Sequence, residues 1–246
     1  MNNINLAFLF TFIAGVSTLF GLLPILFNIK NNDKIISYSL AFASGVMLSI
    51  SIFDLIPSSI KYFSIYYNYS LLIISFFMFI GISFSLLVDY FINKYSNNSL
   101  YRVGLISFIG LIIHNIPEGI ITFVTTSKDL RLGLSLMIAI LMHNIPEGIS
   151  IGIPIYYASN SKIKAFLYVF IAGISEFFGA IITFLFLKFF INNIIIGILF
   201  SMVSGIMIYI SLIDLLYYSL KNSGLLSSFF FFIIGFVFMF VNLLLL

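Results

Sequence analysis

The chain has 246 residues, of which 62% are hydrophobic and only 8% are charged, with a formal net charge of +3. Soluble domains carry roughly a quarter charged residues, so this composition excludes a soluble globular protein and predicts an integral membrane protein. The small positive charge comes from loop lysines and gives no reason to expect a nucleic-acid partner. Because the chain has no cysteine, disulfides and thiolate metal ligands are also excluded.

Eight apolar stretches are long enough to cross a bilayer, which takes about 20 residues. They leave little chain for a soluble domain, so we expect an all-α fold with one transmembrane domain over residues 1–246. The first stretch is longer than the apolar core of a signal peptide, so we expect a retained helix. The predicted helices cover residues 6–28, 36–57, 70–92, 102–124, 133–156, 164–187, 194–217 and 225–246.

The basic residues are divided unevenly between the two sides of the membrane. Seven lie in odd-numbered loops and four in even-numbered loops. Positive residues concentrate in short cytoplasmic loops, so we predict that both termini are extracytoplasmic. The odd-loop residues are Lys30, Lys34, Lys94, Arg102, Lys162, Lys164 and Lys221, and the even-loop residues are Lys61, Lys128, Arg131 and Lys188.

An internal repeat joins the second predicted helix to the seventh. Residues 44–54 read SGVMLSISIFD and residues 204–214 read SGIMIYISLID, at a constant offset of 160. Because one helix is even-numbered and the other odd-numbered, the two copies cross the membrane in opposite directions. This pattern predicts a 3+2+3 inverted-repeat transporter, with the binding site near the midplane. Chance similarity between apolar segments of narrow composition is the alternative.

The hexapeptide His-Asn-Ile-Pro-Glu-Gly occurs twice, at residues 114–119 and 143–148, inside the fourth and fifth predicted helices. Residues i, i+3 and i+4 of a helix share a face, so each copy places an imidazole, an amide oxygen and a carboxylate in one patch. These groups suit a divalent cation such as Zn²⁺, Fe²⁺ or Mn²⁺. We therefore predict a metal site that includes His114, Asn115, Glu118, His143, Asn144 and Glu147.

Each hexapeptide also contains a proline. Pro117 and Pro146 have no N–H, so the carbonyls of Ile113 and Met142 lose their usual helical donors and both helices should kink. Inside a membrane such carbonyls are tolerated only where protein, water or a bound ion satisfies them. The prolines therefore favour a binding site in the protein interior.

Three glutamates, Glu118, Glu147 and Glu176, lie in the middle of predicted helices without any mid-helix lysine or arginine to offset them. Each ionisable residue at mid-membrane costs roughly 2.5 to 3.5 kcal/mol. One or two divalent ions bound with neutral histidines would balance the three carboxylates, so we add Glu176 to the metal site. Asp54, expected about one turn from the outer end of the second helix, is a candidate ligand at the entrance. Asp214 is its counterpart near the inner end.

These residues also have structural interpretations. A buried histidine is often only hydrogen-bonded, and asparagines can join helices through hydrogen bonds. Glu176 could be a protonated acid bonded to a neighbouring helix, and Asp54 and Asp214 could simply face the lipid headgroups. Three threonines beyond the first hexapeptide could line an outer vestibule or pack between helices; they are Thr122, Thr125 and Thr126.

The doubled HNIPEG motif, followed by Glu176 in GISEFFGA, resembles the ZIP (Zrt-/Irt-like) metal transporter family. The likeness extends from SLAFASGVMLSISIFDLIP in the second helix to the last helix. It implies eight helices with both ends outside, a 3+2+3 inverted repeat and a binuclear centre. By position, it implies one metal on His114, Glu118, His143 and Glu147, and a second on Asn115, Glu118, Asn144, Glu147 and Glu176.

One feature departs from the family pattern. Many relatives carry a long, histidine-rich loop between the third and fourth helices. In this chain the corresponding loop, residues 93–101, is short and contains no histidine. This departure puts metal capture or feedback through that loop in doubt, and it leaves the transport site unaffected.

The expected function is uptake of zinc across a bacterial cell membrane. The resemblance implies that iron, manganese and cobalt are carried as well. The metal is the transported substrate, no cofactor is expected, and the protein is not expected to be an enzyme. The expected partners are divalent metal ions and the lipid bilayer, and a homodimer is one of the oligomeric states left open.

Two other functions remain as alternatives. An intramembrane zinc-dependent hydrolase could use His114 and His143 with a glutamate. However, HNIPEG lacks the HExxH order of such enzymes, and a hydrolase does not need two antiparallel copies. A proton- or cation-coupled carrier of an organic solute is the second alternative, and the absence of a mid-helix basic residue argues against an anionic solute.

Overall fold

The computed structural model describes residues 2–26, 33–95, 98–187 and 192–245. The described residues are almost entirely helical and contain no strand. Eight of their helices are long and apolar enough to cross a membrane, which confirms the predicted all-α class and the number of spanning helices. These are α1 (Asn3–Ile25), α2 (Asp33–Ser64), α3 (Ser70–Lys94), α4 (Ser99–Lys128), α5 (Leu130–Ser159), α6 (Lys162–Phe186), α7 (Asn193–Ser223) and α8 (Leu225–Leu245).

Several helices extend beyond the apolar stretches that predicted them. Asn98 and Asp129 cap α4 and α5, where their side chains accept hydrogen bonds from N–H groups of the first turn. The apolar stretch marks the hydrocarbon core, whereas such caps mark the helix end, so the two boundaries differ. Lys61 and Lys221 consequently lie on helices, and Lys30 and Lys188 lie outside the described residues.

The length of α2 corrects the expected position of Asp54. Because α2 continues to Ser64, Asp54 lies more than two turns before the helix end and not about one turn from it. Asp214 likewise lies well inside α7, which continues to Ser223. Both carboxylates therefore lie farther from the ends of their helices than the sequence predicted.

Burial divides the helices into a central set and a peripheral set. In α2, α4, α5 and α7, 61% of the most apolar 18-residue window is buried, against 17% in α3 and α8. The helices α1 and α6 are intermediate, at 44%. The two hexapeptide helices, α4 and α5, therefore lie in the middle of the bundle, while α3 and α8 present most of their apolar surface outward.

The repeated segments of α2 and α7 share a backbone feature as well as a sequence. Each passes into a π-helical turn, at Ser51–Leu55 in α2 and at Ile210–Leu216 in α7. Such turns are rare and occur often at functional sites. The two helices also contact each other directly, because Ser44 Oγ donates to the Ser211 carbonyl at 2.8 Å and Ser211 Oγ donates to the Ser44 carbonyl at 2.9 Å.

Close backbone contacts at glycines join α2 to α8 and α3 to α7. At each of these glycines, an added Cβ atom would collide with a carbonyl oxygen of the partner helix. Small residues allow this approach, which supplies packing contacts where lipid gives no hydrophobic driving force between helices. The contacts are Gly45 with Phe232, Gly235 with Phe42, Gly81 with Met202 and Gly205 with Met78.

We predict that Gly45→Ala destabilises the protein by about 1 to 3 kcal/mol, because the new Cβ collides with backbone atoms of α8, which cannot rotate away as a flexible side chain could. The matched control is Gly197→Ala on α7, whose Cβ would meet only ring atoms of Phe63, at 3.0 to 3.2 Å. The loss of helical circular dichroism on heating in detergent measures both effects. An equal or larger loss of stability in the control would contradict the packing argument.

Candidate metal centre

Both hexapeptides lie within continuous helices. The helix α4 runs through Pro117, and α5 runs through Pro146. The structure places the side chains of all seven candidate ligands in the protein interior. The side chains of His114, Asn115, Asn144, Glu147 and Glu176 are fully buried, while His143 is 3% exposed and Glu118 is 6% exposed.

Two histidines and two glutamates form a connected cluster between α4 and α5. His114 Nε2 lies 3.1 Å from Glu118 Oε1 and 3.3 Å from Glu147 Oε1. His143 Nε2 lies 3.0 Å from the same Glu118 oxygen. Ligand atoms of His114, His143 and Glu147 all lie within 4.8 Å of one another. Ligands that each bind zinc at about 2 Å are themselves separated by about 3 Å, so these spacings suit a shared ion.

The two asparagines are oriented by backbone carbonyls of neighbouring helices. Asn115 Nδ2 donates to the Ala172 carbonyl of α6 at 2.9 Å, and Asn144 Nδ2 donates to the Ala14 carbonyl of α1 at 2.8 Å. Only the amide nitrogen can donate, so this arrangement decides which end of each side chain is the free oxygen. The interhelical role expected of asparagine therefore applies to the nitrogen atoms and leaves the oxygen atoms for another partner.

Glu176 approaches the centre from α6. Its Oε2 accepts a hydrogen bond from Asn144 Nδ2 at 3.0 Å. Its Oε1 is buried and has no hydrogen-bond donor among the described residues. Glu176 therefore lies beside the second hexapeptide, and one of its oxygens remains available.

Six buried oxygen atoms of the centre lack a hydrogen-bond donor within the described ranges. Buried polar atoms of native proteins usually have a partner, and a buried carboxylate without one is costly. All six atoms are acceptors, and His114 Nε2, although 3.3 Å from Glu147 Oε1, forms no hydrogen bond with it, so the group they require is a donor or a cation. They are Asn115 Oδ1, Glu118 Oε2, Asn144 Oδ1, both carboxylate oxygens of Glu147 and Glu176 Oε1.

Asp54 lines a small cavity together with Glu118 and His143. The cavity has a volume of about 30 Å³, which is enough for a water molecule. A second cavity, of about 250 Å³, lies at the turn between α4 and α5 and shares Ile121 with the first. Of the three threonines considered for a vestibule, Thr125 lines this second cavity, whereas Thr122 and Thr126 are fully buried. The polar residues that line the second cavity also include Tyr62, Lys128, Asp129 and Asn193.

Asp214 does not belong to the cluster of metal-binding candidates. It is buried on α7, and its Oδ2 has no donor among the described residues. Elsewhere, Arg102 forms a two-pronged ion pair with Asp89, at 2.6 and 3.0 Å, and Tyr209 donates to the same carboxylate at 3.1 Å. This ion pair ties α4 to α3 away from the glutamates.

The contribution of α1 to the centre was not anticipated from the sequence. The helix supplies the Ala14 carbonyl that orients Asn144, and a backbone group leaves no mark in a side-chain motif. A signal was nevertheless present, because residues 12–21 read FIAGVSTLFG and residues 170–179 read FIAGISEFFG. This second internal repeat relates α1 to α6, the helix that carries Glu176.

Comparison with known proteins identifies the family of the chain. The model of the family described as ZIP Zinc transporter matches residues 96–243. A zinc transporter ZupT of Oceanobacillus iheyensis is 38% identical over 269 aligned positions, covering all of both chains. A zinc transporter ZupT of Clostridium perfringens is 36% identical over 250 positions, covering 88% of this chain and 87% of the relative.

These matches confirm the resemblance that the paired hexapeptides indicated. ZIP proteins are transporters, so family membership also confirms the expectation that the protein is not an enzyme and removes the hydrolase alternative. Its apolar helices and its bacterial relatives make it a multi-pass protein of the bacterial cell membrane. Since the family model covers more than half of the chain and a relative aligns with all of it, this chain belongs to the ZIP zinc transporter family.

Proposed function

We propose that this protein takes up zinc into the cytoplasm through the buried centre between α4, α5 and α6. The observation that carries the proposal is the set of six buried oxygen acceptors without a donor, adjacent to two imidazoles. The relatives that align with most of the chain are named zinc transporters, which supports zinc as the substrate and argues against an organic solute. The whole chain would act as one transmembrane domain.

The centre would be binuclear. One ion would bind to the two imidazoles and to Glu118 and Glu147. The second would bind to the same two carboxylates and to Glu176, with the two asparagine oxygens. The support for bridging is that Glu118 and Glu147 each place Oε1 near an imidazole and each have an unpartnered Oε2. Two dications also come close to balancing three carboxylates when the histidines are neutral.

The same donor set would accept Fe²⁺, Mn²⁺ and Co²⁺, because imidazole, amide and carboxylate ligands suit each of these borderline or harder ions. Amide ligands limit the negative charge of the centre, since Asn115 and Asn144 bind a metal through neutral oxygens. Weaker attraction would ease release, which transport requires as much as binding.

Transport would follow the alternating access of an inverted-repeat carrier, with α1 to α3 related to α6 to α8 around α4 and α5. In such a repeat, α2 corresponds to α7 and α8 corresponds to α3. The contacting pair α2 and α8 therefore corresponds to the contacting pair α7 and α3. Both pairs are joined by reciprocal glycine contacts, and both repeated segments contain a π-helical turn. The distribution of lysine and arginine supports a cytoplasmic side at the odd-numbered loops, with both termini outside.

The moving body would comprise α1, α4, α5 and α6. Backbone contacts at glycines connect these four helices, which form a first group. The other four helices form a second group, in which such contacts join α2 to α8 and α3 to α7. Between the two groups, Gly110 of α4 instead meets the side chain of Ile210 on α7. All seven proposed ligands lie on the first group, so its movement would carry the centre as a unit between the two membrane faces.

The ion would reach the centre from outside through the cavities at the α4–α5 turn. Asp54 shares the inner cavity with Glu118 and His143, so an entering ion would meet this carboxylate beside the first ligands. A negative group in a narrow passage raises the local concentration of cations. Asp54 would therefore act at the entrance and would not hold the ion in the centre.

The test of the proposed function is uptake of radioactive zinc by vesicles that contain the purified full-length protein. We expect saturable uptake by the parent and a loss of at least about tenfold for Glu147→Gln, which removes a charge shared by both ions. The control Asp33→Asn removes a charge at the exposed start of α2 and should transport as the parent does. Uptake by the parent equal to that of empty vesicles would refute the proposal.

The role of Asp54 predicts a separation between the two kinetic constants. Asp54→Asn should raise the KM for zinc several-fold while the maximal rate stays close to that of the parent, because the centre itself is intact. Initial uptake rates over a range of zinc concentrations measure both constants, with Asp33→Asn as the control. A normal KM, or a loss of maximal rate alone, would show that Asp54 does not act at the entrance.

The amide ligands predict an effect on metal selection. Asn144→Asp adds charge to the centre and should lower manganese and iron uptake relative to zinc, because the parent's neutral oxygen broadens selection. Competition between the metals in the same vesicles measures the ratios, and Asn242→Asp on α8, outside the centre, is the control. Unchanged ratios in the Asn144 variant would count against this interpretation.

A further inference from the structure

The repeat that relates α1 to α6 differs at a position of direct importance for the centre. Residues 12–21 and 170–179 are identical at seven of ten positions. Two of the differences exchange one apolar residue for another. The third places Thr18 in α1 where α6 has Glu176, the carboxylate beside the second hexapeptide.

The crossing of α1 and α6 places these two residues equivalently. Gly15 and Gly173 face each other's carbonyl oxygens at the crossing point. A Cβ added to Gly15 would lie 3.3 Å from Glu176 Cβ, and a Cβ added to Gly173 would lie 3.2 Å from Thr18 Cβ. Thr18 therefore occupies the same position relative to α6 that Glu176 occupies relative to α1.

The contacts with the hexapeptide helices follow the same relation. Gly119 of α4 lies against the Glu176 carbonyl, and Gly148 of α5 lies against the Thr18 carbonyl. The asparagine contacts correspond as well, because Asn115 donates to Ala172 of α6 and Asn144 donates to Ala14 of α1. The four helices thus form two equivalent pairs, α4 with α6 and α5 with α1.

The side chains break this equivalence. Glu176 accepts a hydrogen bond from Asn144 and retains an unpartnered oxygen. Thr18 is fully buried, and its hydroxyl donates to the Gly15 carbonyl of its own helix at 2.8 Å. On the side of the centre that corresponds to Thr18, Asn115 Oδ1 is buried and has no donor among the described residues. One side of the centre therefore has a carboxylate, and the equivalent side has only a neutral amide oxygen.

We propose that Thr18 limits the negative charge, and thereby the zinc affinity, of the metal centre. As the carboxylate-free counterpart of Glu176, it limits the centre to three carboxylates. A fourth carboxylate would neutralise two dications completely, strengthen their binding and slow their release. The inference rests on the proposed function, because it assigns a role within the same zinc centre.

A relocation of the carboxylate tests this inference. Zinc bound per chain is measured by equilibrium dialysis and elemental analysis of the purified full-length protein in detergent. We expect two ions in the parent and one in Glu176→Thr. The double variant Thr18→Glu with Glu176→Thr should bind two again, because it restores the carboxylate at the equivalent position. The control, Thr11→Glu with Glu176→Thr, places the same group two turns away on α1 and should remain at one.

The outcomes separate the two proposals. Absence of zinc binding by the parent would overturn the proposed function and this inference with it. Two ions in the parent but one in the relocated variant, with its thermal stability retained, would overturn the role of Thr18 alone. If the larger side chain prevents folding, Thr18→Asp with Glu176→Thr carries the same test with a shorter carboxylate.

A second measurement uses Thr18→Glu without the Glu176 change. We expect its zinc affinity to exceed that of the parent by at least about tenfold, and zinc release from loaded vesicles to slow correspondingly. Unchanged affinity and release would show that Thr18 does not limit the charge of the centre.

Discussion

The buried oxygen acceptors between α4, α5 and α6 are the constraint on which the rest of the structure depends. Carboxylates in the interior of a membrane protein are unfavourable unless a partner compensates them. The two imidazoles approach only Glu118 Oε1 and Glu147 Oε1, and each asparagine nitrogen already donates to a backbone carbonyl. A divalent cation interacts with many oxygen atoms at once, so it satisfies the set better than any single donor.

The surrounding helices hold these acceptors in position through the backbone. Glycines let α4 approach α6 and let α5 approach α1, and the carbonyls of Ala14 and Ala172 then fix the two amides. Orientation is therefore supplied by main-chain atoms, while side chains remain available to the substrate. Under the proposed function, this division would let a well-ordered site bind an ion weakly enough to release it.

The near-equivalence of the two halves has one chemical exception, and the role proposed for Thr18 rests on it. A fully symmetric centre would present either two additional carboxylates or none. With Glu176 on one side and Thr18 on the other, the charge lies between these extremes. A change of this single side chain would therefore alter the charge of the centre without altering the backbone arrangement around it.

Much of the site was predictable, because polar residues in apolar helices are conspicuous. His114, Glu147 and Glu176 needed only their spacing and the absence of basic partners to be assigned to one site. The helix ends were less predictable, since helices continue beyond the apolar stretch, and the distance of Asp54 from the end of its helix was misjudged for this reason. The role of the Ala14 carbonyl could not be derived from side-chain chemistry, although the repeat between α1 and α6 was visible.

The most direct measurement of the central claim is anomalous X-ray diffraction at the zinc edge from crystals of the zinc-loaded protein. We expect two peaks between α4, α5 and α6, separated by about 3.5 to 4 Å as in other two-metal sites. Glu118 and Glu147 should lie between the two peaks. Zinc found only at the protein surface, with the buried carboxylates bonded to other protein groups or to water, would contradict it.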